Sequence, residues 1–324
     1  MRRLIPILLG LASVLIFLVL AGVIAAGNLQ PARWSTTIWI EGVKPGTTDF
    51  VKPPFPLFTR AQVFYENGVV GGTHLFVLGS DCAGRDMLGQ LGRGAIPSLF
   101  LVAIVVLVRT LVGLVAGLLM ASGVQLVSRL SRGMGRWVAG FPYLALAIIL
   151  VEAFSPAPDR RSLFAFVVAM SVVGWREVAE VTARVVEGTR VQVYTEAARA
   201  LGSYGLTYFR RHLLPHLRPA LAAELPFQAS SVLVLLGELG FLQVFLGGTG
   251  IRLIYDTSNR GPLVAGCVVA PSPDLAELLS NARDYILRGQ WTPVLIPALT
   301  IALFALAFEI LGYALRFRSG ENTA

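Results

Sequence analysis

The sequence predicts an all-α integral membrane protein with about six transmembrane helices, and three observations lead there. Of its 324 residues, 55% are hydrophobic and 14% charged, with a mean hydropathy of +0.69. Soluble domains carry roughly 25% charged residues. The apolar residues gather in six runs separated by polar segments, and a membrane span needs about 20 of them. The arginines lie mostly between those runs rather than in one basic module. Such a composition excludes a disordered chain and argues against a soluble enzyme, whose core could not hide so much apolar surface. The net charge of +8 matches no nucleic-acid readout module, so no nucleic-acid partner is expected.

The elements follow in order. Arg2 and Arg3 precede the first run, residues 4–27. A secretory leader has an apolar stretch of only about 7–15 residues, so this run reads as a retained first helix, forming a unit 1–27. Residues 28–94, with Pro31, Pro45, Pro53, Pro54 and Pro56, read as a polar external loop. The second run, 95–121, is broken only by Arg109. A basic loop with Arg129, Arg132 and Arg136 leads to a third run at 137–154. The fourth, 162–175, is short, and its helix is expected to continue past Arg176 toward Val186, with long side chains reaching the interface. Residues 176–218 are the most charged segment. The fifth and sixth runs are 220–246 and 293–313, flanking a second polar insertion at 247–290. Residues 95–324 thus form a core of five helices.

An even number of spans puts both termini on one side. Lys and Arg concentrate in short cytoplasmic loops, while long translocated loops such as 28–94 count little. The arginine-dense segments 129–136, 176–218 and 316–318 are therefore expected in the cytoplasm, with both termini.

Residues 194–215 read YTEAARALGSYGLTYFRRHLLP. Thr195 is suited to cap a short helix, and Glu196 falls in its first turn, where the helix dipole favours an anion. Ala197, Ala198 and Ala200 keep one face small enough for close approach of a partner. Gly202 lets the chain turn out of the helix, and Leu214–Pro215 begins the next span. A short, small-faced helix between two spans is shaped for docking.

This string resembles the signature of ABC-importer permeases, with Glu196, Ala197, Ala198, Gly202, Leu214 and Pro215 in register. EAARALG…RRHLLP, including His212, is similar to the dipeptide, oligopeptide and nickel branch of that family. GSDCAGRDMLGQLGRGAIPSL at 79–99 resembles the Gly-Arg-Asp segment of the branch's second-type permease, which carries an N-terminal span. Phe141–Pro142, Gly174–Trp175 and the sixth run also fit, so the resemblance covers roughly 79–318. It does not cover 28–78 or 247–290.

The resemblance implies a type I ABC-importer permease fold with two sizeable external loops, in a bacterial inner membrane. It further implies a second homologous permease subunit, two cytosolic ATPase subunits and an external solute-binding protein as partners, besides the lipid bilayer. Residues 176–218 would be the coupling loop, with 196–202 seated on one ATPase. The implied cargo is a di- or oligopeptide. Nickel, another small solute, or a non-transporting ATPase-docking role are the alternatives. No catalytic residue or cofactor is expected in this chain, with ATP and Mg on the ATPases. Neither Lys44 nor Lys52 follows a glycine as in a P-loop. His74, His212 and His216 form no H-E-x-x-H, so no metal is expected.

Three charges fall deep in the runs. A central charge costs at least ~2.5 kcal/mol on insertion scales, so Arg109, Glu238 and Glu309 are the candidates for the translocation path. Arg109 would either meet a solute carboxylate or pair with one of these glutamates inside the bundle. In place of Glu309 the family more often has Asn, and FLQVFLGG after Glu238 departs from the branch's usual Leu-Ser-Phe-Leu-Gly. Cys82 and Cys267 fall in the two external segments. They are either a disulfide between them, which needs an oxidising compartment, or two free thiols.

Overall fold

The computed structural model describes residues 4–36, 41–43, 50–51, 53–64, 70–122, 142–155, 161–192, 205–246, 250–252, 267–269 and 274–319, with positions 129, 133, 140 and 195. Six principal helices stand where the six apolar runs place them. These are α1 (Leu4–Leu29), α3 (Met87–Met120), α4 (Tyr143–Phe154), α5 (Leu163–Arg190), α7 (Leu214–Phe241) and α9 (Thr292–Ser319). Short helices α2 (Arg33–Thr36), α6 (Gly205–Tyr208) and α8 (Ala282–Leu287) lie between them. Among the described residues, α1, α3, α7 with its lead-in, and α9 are long and apolar enough to cross a membrane. Of the other two, α4 is described over 12 residues, and α5 carries charge along its second half.

Helix α1 is apolar on every side, as a membrane helix can be. It leaves Leu8, Leu11, Leu15 and Leu18 exposed for lipid. It packs on α3 and α9, where the buried Ser13 hydroxyl donates to the Ala307 carbonyl at 3.0 Å. Helix α7 packs on α9, α5 and α3. The shared core runs from Leu91 and Val105 on α3 through Phe166 and Met170 on α5 to Leu233 and Leu236 on α7.

Three boundaries differ from the sequence reading. Helix α3 starts at Met87, eight residues before the apolar run at 95, because Asp86 accepts from the Gly89 amide and caps it. Its first two turns, MLGQLGRG, are too rich in glycine and polar residues to show as apolar. Helix α7 starts at Leu214 and ends at Phe241, so it is shifted toward the N-terminus of the 220–246 run.

The third difference is in residues 28–94, which are not simply loop. They hold a four-stranded antiparallel sheet of β1 (Glu41–Val43), β2 (Phe50–Val51), β3 (Thr59–Phe64) and β4 (Val70–Phe76), ordered β2-β1-β3-β4. Side chains alternate across a strand, so Ala61 and Val63 on β3 turn inward. With Phe76 on β4 they bury Phe55 and Trp34 in a small separate core. The 247–290 insertion likewise carries a strand pair, β5 (Gly250–Arg252) with β6 (Cys267–Val269), then a 3-10 turn at Glu277–Leu279 and α8.

The α3–α5 contact is close because Gly113 and Gly117 offer no side chain there. A Cβ on Gly113 would lie 2.6 Å from the Val178 Cβ and 2.8 Å from the Trp175 carbonyl oxygen. Small residues of this kind let membrane helices approach through van der Waals packing. Gly113→Leu is therefore expected to lower stability by about 1–3 kcal/mol or more through overpacking. Thermal unfolding of the detergent-solubilised protein measures it, and an unchanged midpoint would contradict this packing.

Candidate functional site

The segment that sequence reasoning singles out is flanked by well-placed structure. Residues 196–202, with Glu196, Ala197, Ala198 and Gly202, lie outside the described residues. Thr195 is buried, and its hydroxyl donates to the Thr189 carbonyl at 2.7 Å. It therefore satisfies a carbonyl at the end of α5, and the amides that an N-cap at Thr195 would meet lie outside the described residues. On the other side, α6 runs into a π-helical turn at Phe209–Leu213, and α7 begins at Leu214 with Pro215 in its first turn. The Leu214 amide still donates to the Phe209 carbonyl of the π-helical turn, so Pro215 stands in a continuous helical path rather than at a free helix start. His212 stacks on Tyr208, with ring centroids 5.7 Å apart. Leu213 and Leu217 pack against Ala121 after α3 and Val186 on α5. Both ends of the undescribed segment are thus fixed to the same corner of the bundle.

The deep charges resolve differently from the expectation. Arg109 is buried, and its Nε donates to the Met170 carbonyl at 2.8 Å. Its Nη1 donates to Gln228 Oε1 at 3.1 Å and to Ser231 Oγ at 2.8 Å. It pairs with neither Glu238 nor Glu309. Glu309 instead accepts from the Ser230 hydroxyl at 3.2 Å, and Glu238 is exposed on α7. A Cβ on Gly174 would fall on the Arg109 guanidinium, so the glycine on α5 is what gives the arginine room.

Sequence reasoning missed the acids that do belong to this network. Gln228 Nε2 donates to Glu177 at 2.8 Å and to Glu224 at 3.1 Å. Arg316 Nη2 donates to the other oxygen of Glu224 at 2.7 Å, and its guanidinium lies 4.1 Å from the Phe227 ring centroid. A polar chain therefore runs Arg109–Gln228–Glu177/Glu224–Arg316, across four helices. Glu224 and Gln228 at i, i+4 inside the fifth run were the available sign.

A second buried cluster joins the segments 28–94 and 247–290, around the residues of the 79–99 motif. Asp81 Oδ1 accepts from the amides of Ala83 and Arg85, and Oδ2 accepts from Arg85 Nε at 2.6 Å and Gln90 Nε2 at 3.1 Å. Arg85 Nη2 reaches across to Glu277 Oε1 at 2.9 Å. The Cys82 amide donates to the Tyr285 hydroxyl oxygen at 2.6 Å. Asp86, besides capping α3, bonds His74 Nε2 at 2.8 Å, and the His74 ring stacks on Trp34. Cys82 is disulfide-bonded, and no cysteine of this two-cysteine chain is free; the Cys267 side chain lies outside the described residues.

Burial pulls the Arg85 guanidinium down, but the Asp81 and Glu277 carboxylates outweigh it and leave the pKa above its ordinary value. Burial also raises the Tyr285 hydroxyl well above its usual range. Asp274 accepts from the Glu277 amide at 2.6 Å and the Leu246 amide at 3.1 Å, tying the end of α7 to the 3-10 turn. Burial pushes its carboxyl up to about 7, against the lowering effect of the Glu277 amide.

Residues 113–320, from mid-α3 to the end of α9, match the family described as binding-protein-dependent transport system inner membrane component. The chain belongs to this family. It is accordingly a multi-pass membrane subunit of a binding-protein-dependent transport system. The chain is 28% identical to the di/tripeptide transport system permease protein DppC of Pseudomonas aeruginosa, over 76% of this chain and 72% of that one. It is 25% identical to the dipeptide transport system permease protein DppC of Bacillus subtilis, over 79% and 71%. It is 28% identical to the peptide transport system permease protein SapC of Escherichia coli, over 74% and 72%. The family match includes Arg316 and both flanks of 196–202, but not the four-stranded sheet or the Asp81–Arg85 motif.

Two outcomes follow for the Asp81–Arg85–Glu277 cluster of this transport subunit. Arg85→Met leaves Asp81 and Glu277 buried without their shared cation, which costs about 3–5 kcal/mol. Faster proteolysis of residues 28–86 is the readout, and wild-type resistance would contradict the cluster's role. Asp274 has a folded pKa raised above the unfolded value of about 4, so the folded state holds its proton more tightly. Stability is then fullest below pH 4 and declines as pH rises through about 7. Hydrogen exchange of residues 274–287 should quicken between pH 5 and 8, after correction for intrinsic exchange, and Asp274→Asn should flatten that dependence.

Proposed function

We propose that the chain is the peptide-translocating permease subunit of an ATP-driven importer, acting on di- or oligopeptides. Its similarity to di/tripeptide, dipeptide and peptide transport permeases supports the cargo class. The coupling reading is carried by one observation, the seating of both flanks of 196–202. Thr195 is held on the last turn of α5, while Leu213 and Leu217 bind the start of α7 to α3 and α5. A displacement imposed on the segment would therefore reach α5 and α7 together rather than dissipate in a slack loop.

In this reading Glu196, Ala197, Ala198 and Gly202 form the helix that sits on one of two cytosolic ATPases, which bind ATP and Mg. Leu214 and Pro215 fix where the membrane helix resumes. Closure of the ATPase pair tilts the α5 and α7 ends and switches the path between outward and inward access, a rigid-body mechanism. A second homologous permease forms the other half of the path, and an external binding protein delivers the peptide. Both termini lie in the cytoplasm, and the Cys82–Cys267 disulfide joins the two external segments outside.

Arg109 belongs to the positioning framework of this permease. Its donors already meet Met170, Gln228 and Ser231, which favours a structural role over direct contact with a solute carboxylate.

The test is binding-protein-dependent peptide uptake with Glu196→Lys. Charge reversal in the first turn of the coupling helix should cut uptake at least about tenfold, a loss of about 1.4 kcal/mol of coupling. Membrane insertion and the amount of chain should stay at wild-type levels. Undiminished uptake would overturn the coupling assignment.

A further inference from the structure

We propose that a cavity between α5, α7 and α9 is a transit site for the charged ends of a short peptide, with Arg184 receiving the α-carboxylate and Glu224 the α-ammonium. The inference rests on the peptide-importer reading and assigns the site within it. The cavity has a volume of about 400 Å³ and is lined by Val181, Arg184, Val185, Ala220, Glu224 and Arg316. Small-molecule sites span about 300–1,000 Å³ and combine apolar walls with a few placed polar groups. Val181, Val185 and Ala220 supply the walls here.

The charges are what distinguish this cavity. Arg184 is exposed and makes no hydrogen bond or ion pair among the described residues. Glu224 is buried in the cavity wall, with one oxygen accepting from Gln228 and the other from Arg316. An ionised carboxylate offers about four lone-pair positions, so it retains capacity for a further donor. The cavity holds two guanidiniums and one carboxylate; Arg184 is the free cation that a peptide carboxylate would meet, and the peptide ammonium would share Glu224 with Arg316.

The surroundings point the same way. Glu177, Glu180, Arg184 and Glu187 are all exposed on α5. A face carrying four exposed charges within eleven residues is one that water or a polar partner covers rather than lipid. The most lipid-exposed helix, α1, packs on α3 and α9 rather than on α5 and α7. The Arg109–Gln228–Glu224 chain opens into this cavity through Glu224 and Arg316, giving a polar stripe from the bundle centre to its edge.

The test uses the chain's lack of free cysteine. Val181→Cys places one reporter thiol in the cavity, and its labelling by a small neutral thiol reagent is followed in the assembled, nucleotide-free transporter without binding protein. The probe is alanyl-alanine, compared with alanyl-alanine amide. Saturating dipeptide should slow labelling by about fivefold or more, as protection by a bound ligand requires, and the amide should slow it far less. Arg184→Gln should remove the dipeptide's protection while leaving the ligand-free labelling rate unchanged. Equal protection by both probes, persistence of protection in Arg184→Gln, or none in its Arg184 parent would each overturn the site. So would slowing by phosphatidylglycerol in the nanodisc without peptide, which would make the cavity a lipid site. Binding-protein-driven uptake by the wild type, measured in parallel, tests the importer reading separately.

Discussion

A guanidinium inside a membrane bundle must find acceptors within the protein, because lipid offers none. Arg109 finds them on two neighbouring helices at once, the Met170 carbonyl of α5 and the Gln228 and Ser231 side chains of α7. That one side chain fixes how α3, α5 and α7 can lie. Gly174 must be without a side chain for it to fit, and the glycines at 113 and 117 bring α3 close enough to α5 for it to reach. Gln228 then has its amide nitrogen free to donate to Glu177 and Glu224. The direction of every later bond in the chain follows from Arg109 being a donor only.

Beside the capped start of α3 the same residue type is handled in another way. Arg85 is also buried, but its acceptors are ionised, Asp81 on its own turn and Glu277 far along the chain. Neutral acceptors suffice for Arg109, to which α5 offers one and α7 two. In the Asp81–Arg85–Glu277 cluster two carboxylates compensate the cation, and their attraction raises its pKa. Asp274, close by but without such a cation, is raised by burial. The cluster thus couples two segments nearly 200 residues apart, and it lies directly above the capped start of α3.

The sequence made legible what depends on long apolar runs. Helix α1 follows from its run to within two residues and α9 starts within one of its own but runs six residues past its end, while Ser162, just before α5, caps that helix. Less was readable where glycine or polar residues carry helix, as in the first turns of α3. The four-stranded sheet was hidden for a related reason: β1 and β2 are three and two residues long, too short for alternation to register. The deep charges show the limit most clearly. Arg109 stood out alone, but its partners are neutral, common residue types 119 and 122 positions away. Nothing in a linear pattern distinguishes such a glutamine or serine from any other. Glu196 and the residues to Gly202 remain a reading of the sequence, supported by the anchorage of their two flanks.

Helix α5 brings these strands together. Its first half is apolar and contributes Phe166, Ala169 and Met170 to the shared core. Its second half carries charge on the outside, and its end is held by Thr195. A helix built this way cannot present its second half to lipid at acceptable cost, so that half must face water or another subunit. It also contacts Arg109 through Met170, the polar chain through Glu177 and the cavity through Arg184. A movement delivered at its Thr195 end therefore changes the cavity mouth and the Arg109 acceptor geometry in one displacement. That is a physical route by which work done on one side of the membrane would alter the surroundings of a peptide within it.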